Sequence, residues 1–170
     1  MFLLTIISGN GRGKTSNIVG RILSHCHNKK SILVIQFMKN EIKGGERYFF
    51  NSLPNVTWLT LGLPEFYMPT KNHEKYQRFL KEGIKSIVSK FNLSNFEIIF
   101  CDELLVALST NLLLWKDVEC LFSASKLEEI VLTGRIVKDL TFLSNYTKVE
   151  LHEINHPYQL GVKARKGIDF

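Results

Sequence analysis

Ser8-Gly9-Asn10-Gly11-Arg12-Gly13-Lys14-Thr15-Ser16 lies between an apolar run, residues 2–8, and a stretch carrying Ile18, Val19, Ile22 and Leu23 at helical spacing. A buried strand, a glycine-rich turn and a helix in that order form a phosphate-binding loop, here with Ser8 where the strict pattern has its first glycine. Glycines let successive backbone N–H groups converge on phosphate oxygens without a Cβ in the way, and the helix adds its positive end. In this reading Gly9, Asn10, Gly11, Arg12, Gly13, Lys14, Thr15 and Ser16 make the nucleotide cradle. Lys14 brings a point charge to the phosphate chain, and the Thr15 hydroxyl is placed for Mg²⁺. Arg12 is an extra cation, either a further phosphate ligand or solvent-facing. A turn that binds nothing is disfavoured by the alternating glycines, the Gly-Lys-Thr ending and the flanking strand and helix.

Outward from the loop, short apolar runs alternate with longer amphipathic stretches. The runs are residues 2–8, 31–37, 56–61, 96–101, 129–133 and 147–153, mostly continuous, as expected of strands covered on both faces. The clearest helix falls between the third and fourth runs, where Tyr76, Phe79, Leu80, Ile84, Ile87, Val88 and Phe91 form one stripe. Lys75, Lys81, Lys85 and Lys90 cover the rest of its surface, a solvated face rather than a nucleic-acid patch. The alternation predicts an α/β fold: a mostly parallel sheet flanked by helices, a three-layer P-loop NTPase-like sandwich of the RecA type. Ligands in such folds bind at the carboxyl ends of the strands, so functional residues are expected just after the apolar runs.

Two further run ends meet that expectation. Residues 96–101 close on Asp102-Glu103, and a carboxylate at the end of a neighbouring buried strand suits the Mg²⁺ shell of a P-loop. Asp102 is also a good helix cap, so it is expected to orient structure while Glu103 faces the metal. Residues 129–133 end in Gly134-Arg135, where Arg135 either clamps phosphate or pairs with Asp102. The tail, residues 155–170, is basic. It reads as a frayed end or, from Leu160, Val162, Ile168 and Phe170, as a segment packed on the single domain formed by residues 1–170. Residues 40–45 read as a mobile loop.

The 170 residues are 45% hydrophobic, enough to build a full core without disulfides or disorder. A net charge of +6 suits an anionic partner, and a phosphorylated small molecule serves as well as nucleic acid. Cys26, Cys101 and Cys120 show no Cys-x-x-Cys pair, which argues for reduced thiols and against a zinc site. The apolar N-terminus lacks a basic segment and turns after seven residues, too short for a signal or a membrane span. A cytoplasmic protein is expected.

Taken together, these residues resemble the ATP:cob(I)alamin adenosyltransferases of the P-loop, corrinoid-salvaging type, nearly end to end. The loop 9–15 is similar to that family's Gly-Asn-Gly-Lys-Gly-Lys-Thr, and Val34-Ile-Gln-Phe-Met-Lys39 to its Val-Val-Gln-Phe-Ile-Lys. Gly45-Glu46, Asp102-Glu103-Leu104 and Thr133-Gly134-Arg135 have counterparts in order. The most specific match is the tail, His156-Pro-Tyr-Gln-Leu-Gly-Val-Lys-Ala-Arg-Lys-Gly-Ile-Asp-Phe170.

The resemblance implies that Co(I) of cob(I)alamin or another corrinoid attacks the 5′ carbon of ATP and that triphosphate leaves, with the nucleotide reversed relative to ordinary P-loop NTPases. It implies Mg²⁺ (Mn²⁺ as the alternative), a homodimer and a flavoprotein reductant, with no nucleic acid and no membrane. Because Co(I) is itself a strong nucleophile, no catalytic histidine is needed, and His25, His27 and His152 are read as surface or packing residues. Before the attack, Co(II) accepts its second electron readily only once its lower axial ligand is removed.

The family removes that ligand with an aromatic wedge, which Glu65-Phe66-Tyr67-Met68 matches, anchored by Thr70-Lys71-Asn72. Phe66 matches the family's phenylalanine. Met68, or with a shifted gap Tyr67, stands where tryptophan is usual, and a thioether still excludes water over less flat area. An ordinary exposed loop is the plainer reading of this stretch. Many members carry an N-terminal helical extension over the corrinoid; this chain starts at the first strand, so either a lid comes from elsewhere or turnover is slower or less selective. The competing readings are a nucleic-acid-coupled ATPase, a small-molecule kinase and a non-catalytic corrinoid-binding protein. A kinase releases ADP rather than triphosphate.

Overall fold

All six apolar runs become strands: β1 (Leu3–Ser8), β2 (Ile32–Phe37), β3 (Val56–Leu61), β4 (Ile98–Asp102), β5 (Glu129–Thr133) and β6 (Tyr146–Glu150). A computed structural model describes residues 2–40, 45–135, 145–154 and 161. The strands form one sheet in the order β3-β2-β4-β5-β1-β6, and every adjacent pair is parallel. This is the P-loop NTPase-like α/β architecture, with the loop strand β1 and the acidic strand β4 separated by β5. The carboxylate strand is therefore not the immediate neighbour of the loop strand, as the sequence had suggested.

The helices are α1 (Lys14–His27), α2 (Gly45–Asn51), α3 (Pro69–Lys90), α4 (Leu104–Ser109) and α5 (Trp115–Val118). Side-chain alternation divides the core in two. Leu4, Ile6, Leu33, Ile35, Ile99, Cys101, Ile130 and Leu132 join Tyr76, Leu80, Ile84 and Ile87 of α3 and the apolar residues of α4 on one face. Ile7, Ile32, Val34, Ile98, Phe100 and Val131 join Ile18 and Ile22 of α1 on the other. Each fully buried Leu or Ile contributes roughly 1.5–3 kcal/mol of transfer free energy, so this double burial carries the fold.

The central strands are buried along their whole length, whereas β6, an edge strand, is mostly exposed. It ends at Glu150 instead of continuing to 153, because its partner β1 ends at Ser8, where the glycine loop begins. The stripe on α3 is narrower than expected: Val88 is exposed and Phe91 lies just beyond the helix. Asp102 is the last residue of β4, and Glu103 takes the cap position of α4 without a side-chain bond, which corrects the expected Asp102 cap. All three cysteines are free, and His25 packs beside Phe100 while binding Glu129. Residues 155–160 and 162–170 of the tail and 41–44 of the expected loop lie outside the described residues.

Candidate active site

Three central strands end on one polar row. On the α1 side of the sheet, Ile32-Val34 of β2, Ile98-Phe100 of β4 and Val131 of β5 are followed, two residues on, by Gln36, Asp102 and Thr133. Gln36 and Asp102 are register partners, and Asp102, Gln36 and Thr133 are all buried. Asp102 has 0% exposure, so its carboxylate must be satisfied from within. It is. Thr133 Oγ1 donates to Oδ1 at 2.7 Å, and Oδ2 accepts from Gln36 Nε2 at 3.1 Å and from Lys39 Nζ at 2.8 Å. The Thr15 hydroxyl donates to the same carboxylate at 3.0 Å.

Trp58 fixes the sense of the Gln36 amide. Its indole N–H, a donor only, reaches Gln36 Oε1 at 2.9 Å, leaving the amide nitrogen for Asp102. Trp58 is in turn stacked on Phe50 at 5.6 Å between ring centroids. Burial pushes the Asp102 carboxyl up, but the Lys39 charge and the hydrogen bonds from Lys39, Thr133 and Gln36 outweigh it, and the net shift is downward. Glu103 goes the other way: burial and the Asp102 charge raise it against Lys39, Lys14 and Arg135. Two non-glycine residues of this site hold left-handed backbone, Met38 (φ 61°) just before Lys39 and Glu103 (φ 60°) just after Asp102. Strain of this kind costs of order 1–3 kcal/mol each and persists where surrounding contacts impose it.

The phosphate loop leaves β1 as expected, with Gly9 (φ 108°) and Gly13 (φ 106°) in conformations that favour glycine. Lys14 is 7% exposed and its ammonium donates to the carbonyls of Gly9 and Gly11, each at 2.8 Å. Burial lowers its pKa, only partly offset by Glu103 and Asp102. Asn10, Arg12, Gly13 and Ser16 face outward. Gly11 has a second duty: its N–H donates to Leu151 O at 2.8 Å, so this amide is already engaged by the segment after β6. Glu153 N contacts Asn10 Oδ1 at 3.4 Å.

Arg135 is exposed at the end of β5 and is absent from the partners of Asp102, which removes the expected pairing and leaves its position near Lys14 and Glu103. Lys39 and Gln36 are the residues sequence reasoning left without a role. The signal for Gln36 was its polar side chain at the register of Asp102 in an otherwise apolar strand.

The loop after β3 presents Phe66, 84% exposed, and the exposed Met68, whereas Tyr67 turns inward onto Tyr76 and bonds His73 Nδ1 at 2.9 Å. Of the two alternatives for the tryptophan position, Met68 is therefore the one that shares the outer surface with Phe66. Asn72 ties the loop: its Nδ2 donates to Phe66 O at 2.9 Å and its Oδ1 accepts from Met68 N at 2.8 Å. This loop sits at the same end of the sheet as the phosphate loop, four strand spacings away, roughly 19 Å at about 4.8 Å per strand.

Thr15, Asp102 and Glu103 offer hard oxygen donors, and no group of three or more His, Cys, Asp and Glu suited to a metal occurs among the described residues. That set fits Mg²⁺, which keeps waters and substrate phosphates in its shell, rather than a metal in an all-protein cage. No helix among the described residues is long and apolar enough to cross a membrane.

Sheet order, glycine loop and buried strand-end carboxylate place the chain in the P-loop NTPase-like α/β class. Within that class, the family model for ATP:corrinoid adenosyltransferase BtuR/CobO/CobP matches residues 2–170, and the chain belongs to this family. It is 25% identical over 170 residues to the corrinoid adenosyltransferase of Pseudomonas aeruginosa, covering 99% of this chain and 83% of that protein. The corrinoid adenosyltransferase of Escherichia coli is 26% identical over 170 residues, covering 99% and 85%. Corrinoid adenosyltransferase CobA of Salmonella typhimurium is 25% identical over 174 residues, covering 99% and 85%.

Proposed function

We propose that the chain transfers the 5′-deoxyadenosyl group of ATP to the cobalt of cob(I)alamin or a related corrinoid. A Co–C bond forms as the C5′–O bond breaks, and triphosphate departs with the electron pair. The observation that carries the reading is the convergence of the Thr15 hydroxyl and the Lys39 ammonium on buried Asp102, at the foot of the loop that holds Lys14.

A Co(I) nucleophile needs no general base. What the leaving group requires is charge neutralisation. Lys14, the loop amides other than that of Gly11, and Arg135 supply it from the protein, with Arg12 at the loop's outer side. Thr15 and Asp102 would hold Mg²⁺, with Glu103 beside them, and the ion supplies Lewis-acid neutralisation of the phosphate charge. In the free protein Lys39 is the cation that satisfies Asp102. With a cation on that carboxylate, the Lys39 ammonium would be free to pair with the phosphate chain instead.

Phe66 and Met68 form the wedge that displaces the lower axial ligand of a Co(II) corrinoid, held in shape by Asn72. A homodimer and a flavoprotein electron donor belong to the same reading.

The test is incubation of purified protein with MgATP and chemically reduced cobalamin. A light-sensitive Co–C product with stoichiometric triphosphate is expected; orthophosphate or ADP instead would overturn adenosyl transfer. Lys14→Ala should lower kcat by about 10²-fold or more, the scale of losing one preorganised charge-stabilising group. Phe66→Ala should spare turnover of Co(I) and cripple turnover that starts from Co(II). Equal loss with both substrates would refute the wedge.

A further inference from the structure

The base that the wedge displaces needs somewhere to go. In a complete corrinoid it stays tethered to the ring by a nucleotide loop that contains a phosphodiester, so it carries a negative charge and a flat heterocycle to wherever it is parked. Next along the chain from Phe66 and Met68, the first turns of α3 line a groove of about 630 Å³, within the usual range of roughly 300–1,000 Å³ for ligand sites. Lys71, Lys75 and Arg78, at spacings of four and three, share its lining with a single carboxylate, Glu74. Lys75 is held by Glu65 at 2.6 Å, while no described carboxylate pairs with Lys71 or Arg78. The His73 ring, fixed by the Tyr67 hydroxyl, adds a flat surface of the kind on which bases stack. Asn72 lines this groove, departs from helical backbone there (φ -137°) and bonds the Met68 N–H and the Phe66 carbonyl, so one residue ties groove to wedge.

We infer that this groove receives the displaced nucleotide loop, its phosphodiester on Lys71 and Arg78, and so favours complete over incomplete corrinoids. The inference rests on the adenosyl-transfer reading above and adds a specificity subsite to it.

The experiment compares cobalamin with cobinamide, which lacks the whole nucleotide loop (phosphate, ribose and base), both chemically reduced to Co(I), in wild type and in the Lys71→Ala/Arg78→Ala double variant. In the variant KM for cobalamin should rise about three- to tenfold with kcat unchanged, the scale of two exposed ion pairs, while cobinamide is unaffected. The Lys71→Arg/Arg78→Lys variant should restore the cobalamin KM. In the wild type, which needs no substitution, the preference for cobalamin should fade as salt shortens the screening length from about 10 Å at 0.1 M. Equal shifts with both corrinoids, no shift with either, or a salt-independent preference overturns the subsite. Absence of turnover with both corrinoids in the wild type marks a different failure, that of adenosyl transfer itself.

Discussion

Asp102 and Glu103 are adjacent in the chain, yet their carboxyls are driven in opposite directions. The first is held down by the Lys39 charge and hydrogen bonds from Lys39, Thr133 and Gln36 against its own burial, and the second is pushed up by burial and by Asp102. Such a split keeps one carboxylate ionised beside Thr15 while the other resists a second negative charge. The stability that Asp102 contributes is present above its ordinary value of 3.8 and is lost as pH falls through its lower folded value. Replacing Lys39 with alanine removes both its charge and its hydrogen bond, so the folded value moves up and the stability that ionised Asp102 contributes shrinks. Breaking a buried pair costs about 3–5 kcal/mol; since Lys39 is 38% exposed, about 1–2 kcal/mol is expected at pH 7, or roughly 3–6 °C in Tm. In thermal unfolding followed by circular dichroism, the gap from wild type should narrow as pH falls through 3.8 and below. A gap that ignores pH would contradict this account of Asp102.

At the scale of elements, the glycine loop is shaped by a protein contact as well as by its expected ligand. A Cβ on Gly9 would meet Leu151 O at 2.2 Å, at a φ that already disfavours one, and a Cβ on Gly11 would meet the same oxygen at 2.8 Å. The chain beyond β6 closes over the loop through Leu151 N to Ser8 O and Gly11 N to Leu151 O, both 2.8 Å. Gly9→Ala should therefore cost about 2 kcal/mol or more and speed hydrogen exchange at the amides of Gly11 and Leu151. Gly20→Ala, on α1 with nothing within 4 Å of the new methyl, should instead stabilise by about 0.5–1 kcal/mol. Gly9→Ala protein with wild-type exchange would show that the contact does not constrain the loop. The loop motif itself was readable from its glycines. Its contact with Leu151 was not, because 140 residues separate the two and only the pairing of β6 with β1 brings them together.

Across the whole molecule the two ends of the sheet divide the work. The carboxyl ends of β1, β2, β4 and β5 carry Lys14, Gln36, Lys39, Asp102 and Thr133, and the opposite end is tied by charge. There Glu129, at the start of β5, binds Arg21 and His25 of α1, the latter at 2.6 Å, and Lys30 bridges Glu97 and Glu128. Glu129 is buried, so Glu129→Gln should lower stability by about 1–3 kcal/mol and leave kcat and KM at wild-type values. A selective loss of turnover in that variant would show that the two ends communicate.

What the sequence determined by itself was the six strands, their order along the chain and the two helices α1 and α3: the continuous apolar runs of β2, β4 and β5 have no face to offer water and became strands covered on both sides, and a glycine loop between strand and helix opens at the sheet's carboxyl edge. Residue type also marked Lys14, Thr15 and the Asp102-Glu103 pair, because charge at the end of a buried run is too costly to be incidental. Tertiary structure decided the rest. The insertion of β5 between the loop strand and the acidic strand, the choice of Asp102 over Glu103 as the partner of Thr15, the recruitment of Gln36 and Lys39, and the turning of Tyr67 inward while Met68 stays out all depend on strand order, register and backbone φ. Those are set by packing between residues distant in the chain, and no local pattern encodes which of two neighbouring side chains a fold will point at a third.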